Sequence, residues 1–107
     1  MAEREIEYDR IYQMTSHFGP GLKHPGTLMI NIQNNRIPGQ AIVPGIKADV
    51  EDGILENDHF SFVMRKKLLG KTIEMKVDGT FHSDGTLNAA MKAPFGSSKI
   101  EGHLINH

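Results

Sequence analysis

Arg10 stands between two tyrosines in the series Ile6, Tyr8, Arg10, Tyr12, Met14, which fills every second position near the start of the chain. If the series is a strand, its alternation puts all five side chains on one face and Glu5, Glu7 and Asp9 on the other. The first face is the more apolar, so the spacing aims a guanidinium and two phenols towards an interior. A guanidinium held away from water needs an anion, because a buried unpaired charge is very costly. The chemistry implied is recognition of a carboxylate or similar anionic group by Arg10, with Tyr8 and Tyr12 orienting it. A bulge near Ile11 would instead turn Arg10 out to solvent.

The other reactive side chains are more dispersed. His17, His24, His59, His82, His103 and His107 include no His-x-His or His-x-x-x-His pair, so no metal site is expected. His17 and His24 flank a Gly/Pro-rich stretch, and His59 and His82 fall near Asp58 and Asp84. A loop histidine has the right chemistry for a general base, but spacing supplies no partner, and surface histidines are the simpler reading. The chain has no cysteine, which excludes disulfides, thiol nucleophiles and cysteine-ligated metals. No cofactor is called for. "RKKLLG" (65–70) is the one basic cluster, either a solvated hairpin tip or a rim that attracts an anionic ligand head.

A ligand's apolar part would need a different lining. Met14, Phe60, Phe62, Met64, Met75 and Met91 all fall in the apolar phase of alternating runs. Methionine is flexible and polarizable, suited to adaptable binding surfaces. Ala41, Ala48 and Ala89 in the same phase leave space beside them. Plain core filling is the other use for these residues.

The elements that must position them are strands. Alternation recurs at Leu28, Ile30, Ile32; Ile46, Ala48, Val50; Phe60, Phe62, Met64; Ile73, Met75, Val77; and Leu87, Ala89, Met91, with no helical period. Two glycine series, Gly19, Gly45, Gly70, Gly96 and Gly26, Gly53, Gly79, Gly102, recur at spacings near 26 residues. The first series reads as turns and the second as bends within strands. "KVDGTFHSDGTL" (76–87) tests the distinction, because it holds Asp-Gly twice. Asp84-Gly85 separates two apolar runs and is the turn, whereas Asp78-Gly79 continues the phase of Ile73, Met75 and Val77 and lies inside a strand. Eight strands follow, near 5–16, 26–33, 36–43, 46–55, 59–66, 71–81, 86–93 and 98–105. Short loops force sequential antiparallel pairing, and sharply coiled strands close into an up-and-down barrel of four hairpin units. The whole chain, 1–107, is expected to form one such domain.

Bulk composition narrows the partners. Twelve basic and 13 acidic residues give a net charge of −1, which steers the chain neither to nucleic acid nor to a membrane. No run approaches the roughly 20 apolar residues of a membrane-spanning helix. The charged start and the lack of cysteine suit the cytoplasm. Ile11, Met29 and Ile42, outward on three neighbouring strands, are expected to form a patch through which the chain makes a homodimer or meets an enzyme partner.

The turn glycines after Phe or Pro and the "DG-x-hydrophobic" return strands resemble those of short bacterial lipocalin-like (calycin-like) proteins. The closest stretches are "VEDGILENDHFSF" (50–62) and "LNAAMKAPFGSSKIEGHLI" (87–105), within a resemblance spanning about 26–105. It implies the barrel and carries over no catalytic residue. The segment 17–26, longer than the other turns, is the natural place for specialisation. Fatty-acid-binding barrels offer an analogy for an interior Arg and Tyr set that holds a carboxylate. The function expected is binding of a small apolar or amphipathic molecule in the interior. The alternatives are a small barrel enzyme for isomerisation, cyclisation or elimination, using a tyrosine or loop histidine, and an accessory subunit of a larger enzyme.

Overall fold

Alternation of apolar and polar residues becomes strand pairing along almost the whole chain. A computed structural model describes residues 8–106 apart from 18–20, 22, 44–45 and 95. Its eight strands are β1 (Arg10–His17), β2 (Lys23–Ile30), β3 (Gly39–Val43), β4 (Ile46–Glu56), β5 (His59–Leu68), β6 (Lys71–Phe81), β7 (Thr86–Ala93) and β8 (Gly96–Leu104). Each pairs antiparallel with the next, and β8 pairs with β1 to close the barrel. The all-β, up-and-down, eight-stranded barrel expected from sequence is the fold observed, with no helix among the described residues.

Strand limits depart from expectation where local bonding competes with alternation. β1 starts at Arg10 and runs to His17, so Tyr8 and Asp9 precede the strand expected to hold them, and the expected start at 5–7 lies outside the described residues. β2 begins at Lys23 because pairing with β1 continues through Gly26 and Pro25, opposite Met14 and Thr15. β3 begins late because 31–38 forms its own turn. There Gln33 and Arg36 exchange main-chain bonds of 2.9 and 3.0 Å, and Asn31 N donates to the Pro38 carbonyl at 2.9 Å.

The two Asp-Gly pairs divide as expected. At 82–86, His82 N donates to the Thr86 carbonyl and Gly85 N to the His82 carbonyl, with Gly85 at φ 91°. A left-handed residue closing a three-residue hairpin favours glycine. Asp84 braces the turn by accepting from Thr86 N and Oγ1 at 3.0 and 2.6 Å. Those bonds, the side-chain one foremost, lower the Asp84 pKa below its ordinary value.

Gly79 instead sits mid-strand between Phe60 and Ala89, in unbroken register. A Cβ there would stand 2.5 Å from the Asn88 carbonyl oxygen, 2.6 Å from the Ala89 Cβ and 2.7 Å from the Phe60 ring. Gly79 is thus a place of close approach as much as of bending. At Gly53 the register shifts between Glu51 and Ile54 and Asp52 takes a φ of 53°, which is a bulge. Glycines that recur in sequence therefore do different work in the barrel.

The most completely buried large side chains, Tyr12, Leu28, Ile30, Ile37, Phe60 and Leu87, gather towards the end where β1 begins. Hydrogen bonds tie that end. Asp9 N donates to Asn31 Oδ1 at 2.8 Å, and Ile32 N donates to Asp9 Oδ2 at 2.7 Å. Ile11 N donates to Asn106 Oδ1 at 2.6 Å, and Phe81 N to the Asp58 carbonyl at 2.8 Å.

Candidate functional site

β1 pairs with β2 without a break from Arg10 opposite Ile30 to His17 opposite Lys23, so no bulge turns its face. Tyr12, Met14 and Ser16 are buried and Arg10, in the same phase, is half-buried at the barrel's edge. The Arg10 guanidinium lies 5.4 Å from the centroid of the Phe81 ring, and Nη1 donates to the Tyr12 hydroxyl at 3.3 Å. Cation–π attraction and that hydrogen bond hold it there. Among the described residues no carboxylate forms an ion pair with Arg10. Tyr8 precedes the strand, and its carbonyl accepts from Asn106 Nδ2 at 3.3 Å.

Below Arg10 the aromatic rings stack. Tyr12 and Phe81 lie 5.0 Å apart, Phe81 and Phe60 4.2 Å, and Phe60 and Phe62 6.1 Å, all within 16° of parallel. Beyond the stack the filling changes. Met64 faces Met75 across β5 and β6, and Met91 faces Val77 and Ser98 across β6, β7 and β8. An interior void of about 10 Å³ lies between the two fillings, with Met14, Met64, Met91, Phe60, Phe62 and Leu87 in its lining. That is room for about one water molecule. The interior is therefore packed, and a ligand must displace side chains to enter.

The expected site thus divides. Met14, Phe60, Phe62, Met64 and Met91 meet around one void, and Met75 is buried opposite Met64. Arg10 and Tyr12 do not line it and belong to the aromatic end, as does Tyr8 by its place before β1. Towards the methionine end, Ser98 is 5% exposed and its Oγ has no hydrogen-bond partner. A buried hydroxyl without a partner is uncommon in a packed core. Lys66, Ile73 and Ala93 continue the inward phases of β5, β6 and β7 and are half-buried, marking the rim.

Outside the barrel, Arg65 Nη1 reaches Glu51 at 2.6 Å and Nη2 reaches Glu74 at 3.0 Å, and the hydrogen bond to Glu51 is the main cause of its raised pKa. His17 pairs with Glu101 at 3.1 Å, and His82 lies 2.9 Å from Asn88 Oδ1. Among the described residues no three His, Asp or Glu side chains are grouped to hold a metal. Nor is any helix among them long and apolar enough to cross a membrane. Of the outward trio, Ile11 and Met29 are directly paired and half-buried, while Ile42 is 37% exposed and offset, opposite Thr27. Within 17–26, residues 18–20 and 22 lie outside the described residues.

Sequence reading missed three residues of this landscape. Ile37, wholly buried, lies before β3 beside Pro38, and its only signal was the phase it shares with Ala41. Ser98 opens the expected strand 98–105 in the phase of Ile100, but a serine gives no apolar signal of burial. Leu69 is completely exposed at a hairpin tip. No family model, curated protein or solved structure matches the chain.

Proposed function

We propose that this barrel is a binding protein that takes up a small apolar or amphipathic molecule among Met14, Met64, Met75 and Met91. The observation that carries this reading is the change in filling along the barrel axis, from stacked rings to thioethers, with a void where the two meet. Rings locked in a stack resist displacement, whereas an unbranched thioether with three rotatable bonds can move aside and keep its contacts. Phe60 and Phe62 form the floor of the site. Arg10 and Tyr12 close the far end, so the ligand's polar part lies towards the rim rather than at the guanidinium. Ser98, buried and unpartnered, lies outside the lining of the void opposite Met91, and becomes available to a polar atom of the ligand when Met91 moves aside.

Native mass spectrometry of gently purified protein, with and without added octan-1-ol, tests this. The expected result is a one-to-one adduct that Met64→Phe or Met91→Phe abolishes without loss of fold. A barrel that stays free of ligand with octan-1-ol in excess would contradict the reading.

A further inference from the structure

Closing the barrel sorts charge that looks evenly spread along the chain. The connections after β1, β3, β5 and β7 share the methionine end. Lys23, Lys47, Lys66, Lys67, Lys71 and Lys92 lie at or next to the strand ends there. The stretches 16–23, 43–47, 66–72 and 92–98 contain no Asp or Glu. The opposite end carries Asp9, Glu56, Asp58 and Asp84. A net charge of −1 therefore conceals a molecule with one cationic end. None of Lys66, Lys67 and Lys71 is ion-paired among the described residues, whereas Arg65 beside them is held by Glu51 and Glu74.

The β5–β6 turn adds a second, independent observation. Leu69 and Gly70 take φ values of 51° and 81°, the paired left-handed conformation of a two-residue hairpin that favours Asn followed by Gly. Two other connections of this barrel place Asn34 and Asn57 at their left-handed positions. Here a leucine bears that strain, and the residue is fully exposed, so it adds nothing to the core. A residue that breaks a local rule without benefit to the fold points to function.

We infer that the methionine end docks on an anionic lipid surface, with Leu69 entering the acyl boundary and Lys66, Lys67 and Lys71 facing the headgroups. An apolar tip flanked by lysines has the two signals that reversible attachment requires, buried apolar area and attraction to anionic lipid. Docked in this way, the half-buried rim at Lys66, Ile73 and Ala93 faces the bilayer. The inference stands on the turn and its lysines and holds whether or not the interior takes up a ligand.

Co-sedimentation with vesicles tests it, using phosphatidylcholine alone and phosphatidylcholine mixed with phosphatidylglycerol. The full chain should bind the mixed vesicles preferentially and be released by added salt. Lys67→Glu with Lys71→Glu should weaken binding by about tenfold or more. Leu69→Asn should weaken it by about tenfold while melting at or above the parent temperature, so weaker binding cannot be blamed on misfolding. Equal affinity for the two vesicle types would overturn the inference. So would undiminished binding by Leu69→Asn, or binding to heparin but not to vesicles, since each marks a general polyanion surface instead.

Discussion

At the aromatic end, side chains and main chain are tied together above parallel rings: Asp9 bridges to Asn31 and Ile32, Asn106 reaches back to Ile11, and Arg10 lies over Phe81. At the methionine end the same alternating strands enclose Met14, Met64, Met75 and Met91 with alanines and two serines. Both ends are packed. They differ in how freely their contents can move. A stacked ring has one good position, and an adjacent bond network fixes the backbone that carries it. A thioether has several. A small barrel can thus spend one half of its core on stability and leave the other half adaptable.

Substitutions can break that comparison, beginning with the largest effect. Phe60→Ala removes a ring in contact with two others and should cost about 3–5 kcal/mol, read from denaturant or thermal unfolding. Gly79→Ala should cost about 1–3 kcal/mol, because the new methyl meets the Asn88 carbonyl and the Phe60 ring at under 3 Å. At the other end Met64→Leu keeps volume in a tolerant setting and should cost less than about 1.5 kcal/mol. A Met64→Leu penalty as large as that of Phe60→Ala would erase the distinction between the halves.

The smallest effect belongs to Asp84→Ala. The Asp84 pKa is lower when folded than when unfolded, so its contribution is present above the unfolded value of about 4 and disappears as pH falls through the folded value. The variant should melt slightly below the parent at neutral pH and together with it in acid. A melting difference that persists unchanged in acid would remove the carboxylate from the account.

Much of the fold was legible because alternation reports which face a residue takes. It separated Asp84-Gly85 from Asp78-Gly79 and put Arg10 in the inward phase. Alternation does not report depth along the barrel axis. Arg10 and Met14 share a face of β1, yet the rings of Phe81 and Phe60, from β6 and β5, stand at one level and the methionines at another. Cross-strand register decides this, and register is set by turns whose geometry the sequence shows only in part. Leu69 illustrates it: the pairing of Leu68 with Lys71 leaves two residues in the turn and forces the left-handed φ. The cationic end was legible only at "RKKLLG"; Lys23, Lys47 and Lys92 are far from it in the chain and join that end only when the barrel closes.

The central claim is that the methionine half, and not the aromatic half or the outer surface, receives the ligand. Methyl NMR of the methionines during titration with octan-1-ol tests it most directly. Met14, Met64 and Met91 line the void, whereas Met29 lies half-buried on the outer face and serves as an internal control. The account predicts saturable shifts at Met14, Met64 and Met91 with Met29 unmoved. Shifts confined to Met29, or none at any methionine at saturating octan-1-ol, would contradict it.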